Sequence, residues 1–183
     1  MATIPYVQDI TSSSANGNYN TGDTINIQLV FDQTIVVSGT PQLTLETGST
    51  DAVVNYNNTL STTNTSNDTM NFTYTVASGH SSSDLDYKSS SALSLNGGTI
   101  QNTSGNNATL TLASPGAANS LGANKAIVID TAVPTISSFT MSDTTITWGE
   151  TVTVTLVFSE AVSGFSSDDD ITVQNGTLST MTT

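Results

Sequence analysis

Tyr19-Asn-Thr-Gly22-Asp23-Thr24-Ile25-Asn-Ile27-Gln-Leu29-Val-Phe31-Asp-Gln-Thr-Ile35 occurs a second time in this chain, as Ile146-Thr-Trp-Gly149-Glu150-Thr151-Val152-Thr-Val154-Thr-Leu156-Val-Phe158-Ser-Glu-Ala-Val162. Glycine, acid, threonine, alternating aliphatics and a phenylalanine recur in register, with Gly149 lying 127 residues after Gly22 (149 − 22). An aliphatic residue and a proline open each unit, at Ile4-Pro5 and Val133-Pro134. In the first copy Ile25, Ile27, Leu29 and Phe31 share one face, the period-two pattern of a half-buried strand. A chain of repeated β units is expected to work as an array rather than as a catalyst.

The same alternation extends along the chain. Gln42–Glu46, Ala52–Tyr56 and Met70–Val76 read as strands, the last with Met70, Phe72, Tyr74 and Val76 in phase. Leu93-Ser94-Leu95 leads into Asn96-Gly97-Gly98, a hairpin signal. Thr109–Leu112 and Lys125–Asp130 read as further strands. No window has a 3.6-residue apolar period, so at most one helical turn is expected, near Ser81–Leu85. Short strands with frequent turns predict an all-β fold built as a two-sheet sandwich. The expected core of the first sandwich is Ile25, Ile27, Leu29, Phe31, Leu43, Leu45, Phe72, Tyr74, Val76, Ile127 and Ile129.

Asp130-Thr131-Ala132-Val133-Pro134 ends a strand and stiffens the exit with proline. The expected domains are therefore 5–131 and 134–183. The second holds 50 residues (183 − 134 + 1). Three strands are expected in it, at Ile136–Met141, Thr151–Phe158 and Ile171–Val173. Three strands leave sheet edges unpaired, so this unit reads as the N-terminal part of a repeat, truncated or completed by a partner strand. Met1-Ala2 before a polar stretch reads as the start of an excised segment.

Composition narrows the function classes. Fifteen acids face two bases, Lys88 and Lys125, for a net charge of −13. That excludes a nucleic-acid role, which needs a basic footprint on phosphate, and disfavours anionic membranes. It suits a soluble extracellular protein or a cation binder. Cysteine is absent, so no disulfide, thiolate metal site or thiol nucleophile exists. No signal peptide and no membrane span is expected within these residues.

The second copy carries Val133-Pro134-Thr135, Gly149-Glu150-Thr151, Phe158-Ser159-Glu160-Ala161-Val162-Ser163-Gly164-Phe165, Asp169-Asp170-Ile171-Thr172-Val173 and Asn175-Gly176-Thr177-Leu178. It resembles the Ig-like repeats of large bacterial surface adhesins. The first copy is similar to a longer variant of that repeat, marked by Gly39-Thr40-Pro41, Ser83-Asp84-Leu85-Asp86-Tyr87 and Lys125–Thr131. The resemblance implies an Ig-like β-sandwich followed by a partial second Ig-like unit. It also implies a structural extender at the bacterial cell surface or secreted, projecting a binding module, with neighbouring repeats or other copies of the chain as partners and Ca2+ stiffening the junctions. A self-assembling subunit of a filament, surface layer or virion is a second reading. A glycan- or protein-binding module using the polar stretch Asn57–Asn67 is a third.

Calcium takes six to eight oxygens, mostly carboxylate and carbonyl. The candidate ligands are Asp84 and Asp86, two apart and so on one side of an extended segment, Asp130 at the junction, and Asp169 within the run Asp168–Asp170. No EF-hand spacing occurs. His80, the only histidine, lacks the context of a nucleophile elbow, and one histidine without cysteine makes no zinc site. Glu46, Glu150 and Glu160 are the only glutamates and suggest no glycosidase pair. Trp148, the only tryptophan, reads as packing more than as a sugar platform. Lys88 and Lys125 raise the question of a Lys–Asn crosslink.

Overall fold

The computed structural model describes residues 3–57, 68–167, 169–174 and 176–181. From residue 58 the polar Asn57–Asn67 stretch lies outside the described residues, as do Asp168 and Asn175. The chain divides into two compact units, Met1–Thr131 and Ala132–Thr183.

The first unit is organised around the quoted repeat. Thr24–Phe31 is an eight-residue strand, β3, whose inward residues Ile25, Ile27, Leu29 and Phe31 are fully buried. It pairs antiparallel on one edge with β1 (Val7–Ser12) and on the other with β7 (Thr69–Thr75). Its register sets Ile25 opposite Tyr74, Ile27 opposite Phe72 and Leu29 opposite Met70. Cross-strand apolar pairs of this kind are the unit of sheet stability. Burying each such side chain contributes about 1.5–3 kcal/mol.

The other elements in chain order are β2 (Gly17–Tyr19), β4 (Ile35–Ser38), β5 (Gln42–Glu46), β6 (Ala52–Asn55), β8 (Ser81–Ser82), β9 (Asp86–Tyr87), β10 (Leu93–Ser94), β11 (Thr99–Asn102), α1 (Leu121–Asn124) and β12 (Ile127–Asp130). β12 pairs parallel with β2 and antiparallel with β8, while β9 pairs with β5. Residues 81–88 thus lie between two strands, with a bend at 83–84: Leu85 N–H donates to Ile127 O and Lys88 N–H to Thr44 O, at 2.8 and 2.9 Å. β5 also pairs with β6 and β10. One apolar cluster joins both sets of strands and contains every expected core residue, from Ile25 through Ile129.

Four expectations are corrected. The single helical turn is at Leu121–Asn124, not Ser81–Leu85. Ser120 caps it, its hydroxyl accepting from Ala123 N–H at 3.2 Å, whereas 81–88 is committed to its two neighbours. Thr109–Leu112 forms no strand. Its polar groups are met singly, Thr109 N–H by Pro5 O and Leu112 N–H by Ser90 O. Ile171–Val173 has no strand partner and is irregular. Asn96-Gly97 does make a tight turn, both residues at positive φ (46° and 77°), but β10 and β11 do not form a hairpin, because β10 pairs with β5 and β11 with β4.

That last difference has a steric origin. The ribbon β4-β5 crosses the ribbon β10-β11 at Gly39 and Gly98. A Cβ on Gly98 would lie 2.2 Å from the Ser38 carbonyl oxygen, and one on Gly39 would lie 2.8 Å from Gly98 Cα. Two backbones touch where both ribbons bend, and glycine alone fits.

The second unit contains β13 (Ile136–Met141) and β14 (Val154–Phe158), paired antiparallel. Several of its large apolar residues stay open to solvent: Phe139 is 60% exposed, Val154 40% and Trp148 fully, which corrects the packing role expected of that tryptophan. Phe158 and Phe165 meet edge to face with centroids 5.0 Å apart.

Substituting Gly98→Ala is expected to destabilise the first unit by roughly 1–3 kcal/mol, at the upper end of overpacking costs. Gly97→Ala meets no neighbour within 4 Å and carries only the smaller conformational cost of about 1 kcal/mol. Urea unfolding of both variants checks the order. Equal destabilisation would refute the crossing as the cause.

Candidate functional site

Asp84 and Asp86 are the two sequence candidates that the fold brings together. They lie two apart, Asp84 in the bend between β8 and β9 and Asp86 at the start of β9, and both carboxylates approach Gly122 of α1. A Cβ built on Gly122 would stand 3.0 Å from Asp86 Oδ2 and 3.3 Å from Asp84 Oδ2, so both oxygens converge on that glycine. Asp86 is buried, and its oxygens are engaged. Oδ1 accepts from Tyr87 N–H and Oδ2 from Gly116 N–H, both at 2.9 Å. Tyr87 OH donates to Ala113 O at 2.7 Å. Two adjacent residues of β9 therefore pin the 113–116 segment to the sheet.

Asp84 is exposed, yet its carboxyl is held above the ordinary carboxylate range, first by partial burial and then by the charge of Asp86. Burial, with Asp86 adding to it, also pushes the Tyr87 phenol up to about 12. The pair concentrates negative charge, and the fold resists the ionisation of Asp84. Its donor set, two carboxylates on one face, suits a hard cation that completes its shell from carbonyls and water.

The other candidates lie elsewhere. Asp130 ends β12, opposite Ser81. Asp169 is in the second unit, where its N–H donates to Ser166 Oγ at 3.2 Å while Ser166 N–H donates to Asp170 Oδ2 at 2.8 Å. These acids close a local turn. Among the described residues no group of three or more His, Cys, Asp or Glu side chains clusters as a metal site.

His80 Nδ1 shares a 2.8 Å hydrogen bond with Tyr74 OH, and the two rings stack with centroids 5.8 Å apart. Tyr74 is buried, which pushes its phenol up to about 12. The loop is tied to the end of the unit, with Thr131 Oγ1 donating to His80 O and accepting from Gly79 N–H. Beside it, β6 and β7 meet at one bridge, Tyr56 to Phe72, then splay to leave a shallow groove of about 660 Å3 walled by Val53, Asn55, Thr73 and Thr75.

The Lys88 ammonium binds Glu46 and lies 3.3 Å from Asp51 Oδ1, an oxygen with no hydrogen bond of its own. Glu46 above all, and then Asp51, raises the Lys88 pKa, and the Lys88 bond lowers that of Glu46. A held ammonium is not a nucleophile, and this trio is an ion-pair clamp across β5, β6 and β9. Lys125 caps α1 with its N–H on Leu121 O. Sequence spacing located the Asp84–Asp86 pair. It missed Gly116 and Gly122, which carry no periodicity and meet the pair only through the fold.

The family described as Bacterial Ig-like domain matches residues 130–183, the second unit together with Asp130 and Thr131. No curated protein and no solved structure matches the chain significantly. The match supports a bacterial Ig-like domain and, with it, a non-enzymatic, surface-type module. Together with the strand architecture it is consistent with the expected Ig-like β-sandwich class. Among the described residues no helix is long and apolar enough to cross a membrane.

The charge pair gives a signed prediction. A carboxyl whose folded pKa is raised stabilises the fold fully below its unfolded pKa, and that contribution is lost as pH rises through the folded value. At neutral pH with chelator, Asp84→Asn is expected to raise the thermal midpoint of the first unit, and the advantage is expected to vanish in the acid range. A lower midpoint at neutral pH would show that ionised Asp84 is favourable.

Proposed function

We propose that this chain is a structural extender segment of an extracellular bacterial adhesin, and that its work is mechanical: reach, spacing and stiffness. The observation that carries the reading is the repeat itself, two copies of one β unit in tandem joined by a short proline-stiffened segment. Each unit spends its repeat motif on a strand pair rather than on a cluster of reactive groups. The bacterial Ig-like match over 130–183 supports the same reading. A net charge of −13 keeps such an array soluble and extended. The partners in this proposal are neighbouring Ig-like repeats, with no nucleic acid and no membrane insertion of this segment.

Calcium belongs to the proposal. Asp84 and Asp86 would hold it, and the ion would neutralise a carboxylate pair that the fold otherwise forces together. The benefit is stiffness in the 81–88 segment and in the 113–116 segment bound to Asp86.

Thermal unfolding in excess calcium and in chelator, each at two protein concentrations, tests this. Calcium at a hundredfold excess over its dissociation constant is expected to stabilise the native first unit by about 2.7 kcal/mol, independently of protein concentration. Replacing both Asp84 and Asp86 by Asn is expected to abolish the shift. A midpoint that ignores calcium would remove the ion from the proposal. One that tracks protein concentration would overturn the extender reading in favour of self-assembly.

A further inference from the structure

Asparagine is followed by glycine three times, at Asn16-Gly17, Asn96-Gly97 and Asn175-Gly176. The dipeptide carries a reaction of its own. The glycine amide nitrogen can attack the asparagine Cγ and close a five-membered ring, with no side chain on the glycine to obstruct it. The two described pairs are held differently. At Asn16-Gly17 both groups are engaged by the residue before β12: Asn16 Oδ1 accepts from Ala126 N–H at 3.2 Å, and Gly17 N–H donates to Ala126 O at 3.0 Å. At Asn96-Gly97 the nucleophile is open. Among the described residues Gly97 N–H donates to no partner, and nothing beyond its chain neighbours comes within 4 Å of where a Gly97 Cβ would stand.

The turn itself restrains Asn96. Gly98 N–H donates to Leu95 O at 2.7 Å across Asn96 and Gly97, both at positive φ. This is the mirror image of a type I turn, in which ψ of the first central residue is about +30°. In an L-residue that ψ sets the next nitrogen nearly anti to Cβ, so Gly97 N faces away from the Asn96 side-chain amide. Ring closure needs ψ to swing this nitrogen round to the Cβ side. The ribbon crossing opposes the rotation at three points. The Leu95–Gly98 bond must break. Asn96 Nδ2 must leave Thr40 O, to which it donates at 3.1 Å. Gly98 must move, although its main chain lies so close to Ser38 O that a Cβ on it would stand 2.2 Å away.

We propose that Asn96-Gly97 is a latent self-modification site which the ribbon crossing keeps closed, and that opening of the crossing converts it irreversibly. In the opened turn Gly97 N bonds to Asn96 Cγ and gives its proton to solvent. The Cγ–Nδ2 bond breaks, the nitrogen takes a proton from solvent and leaves as ammonia, and a succinimide ring remains. Water then opens the ring. Cleavage at Cγ leaves aspartate at position 96, and cleavage at the main-chain carbonyl leaves isoaspartate, with one more carbon in the backbone. Nothing is oxidised or reduced, and solvent water is the only co-reactant. Neither product fits the crossing. Aspartate has no N–H for Thr40 O and sets a carboxylate against that carbonyl, where Asn96 donates a hydrogen bond. Isoaspartate lengthens the turn where Gly98 and Ser38 leave no slack. The turn thereby keeps a permanent record of its own opening. The inference rests on the crossing and not on the extender reading.

Incubation of the full chain at mildly alkaline pH, in buffer and in denaturing urea, tests this when peptide mapping by mass follows amide-to-acid conversion at each asparagine. Asn96 is expected to convert at least tenfold more slowly in buffer than in urea, as a group reached only through opening does. Gly98→Ala loosens the crossing and leaves Asn96-Gly97 intact. It is expected to speed conversion of Asn96 in buffer by about tenfold and to speed that of Asn16 far less. Chains converted in urea and then refolded are expected to unfold at lower urea than untreated chains, and Asn96→Asp to share part of that loss. Conversion of Asn96 as fast in buffer as in urea would overturn the lock. That comparison uses the unaltered chain, so it decides the matter even where Gly98→Ala does not fold. In a folded Gly98→Ala chain, an unchanged rate at Asn96, or equal acceleration at Asn16, would remove the crossing as the cause. Refolded converted chains as stable as untreated ones would overturn the irreversible loss of fit.

Discussion

The first unit depends on the burial of one side of β3 while both of its edges are paired. Ile25, Ile27, Leu29 and Phe31 can leave water only because β1 and β7 consume the hydrogen-bonding capacity of the strand that carries them. An unpaired backbone group beside an apolar core would cost as much as the burial of a small side chain gains. The remaining strands close around that face. β12 brings Ile127 and Ile129, β5 brings Leu43 and Leu45, and the 81–88 segment ties β12 to β5 by hydrogen bonds on both of its sides.

This arrangement explains where charge is tolerated. Asp84, exposed, and Asp86, buried, lie two residues apart and both approach Gly122, so two carboxylates share one patch under α1. Gly116 N–H satisfies part of Asp86, while partial burial first, and then the charge of Asp86, keeps the Asp84 carboxyl above its ordinary range. The pair is thus an outcome of the fold's geometry before it is anything else. The proposed cation would exploit what the alternation produces.

Period-two patterning is a strong signal because it reports burial and pairing together. β3, β5, β6 and β7 were legible from it, as was every residue of the expected core, and the Asp84–Asp86 pair followed from the same periodicity. What was not legible depends on groups distant in sequence. Asn96-Gly97-Gly98 has the composition of a hairpin turn, yet the flanking strands pair elsewhere because Gly98 lies against Ser38, sixty residues away. Thr109–Leu112 alternates as well as β5 does, but its neighbours are the single carbonyls of Pro5 and Ser90 and not a strand. Ser120–Asn124 is too short for any helical period to be visible, and only its capping hydroxyl marks it.

The repeat separates the two things that a strand pattern encodes. β14 has the alternation of β3, the same partner geometry on one edge and the same bulge, yet its apolar residues remain partly or largely exposed. Local sequence therefore sets strand formation, register and the position of the irregularity in both units. Burial is set by what occupies the other edge and the face above it, and this differs between them. Leu29 and Leu156 sit in equivalent ladders, and Leu29 is fully buried with β7 beside β3, while among the described residues no strand lies on that edge of β14. A motif that specifies its own strand pairing and register in both units is suited to an array, since each unit is laid down in register from its own sequence.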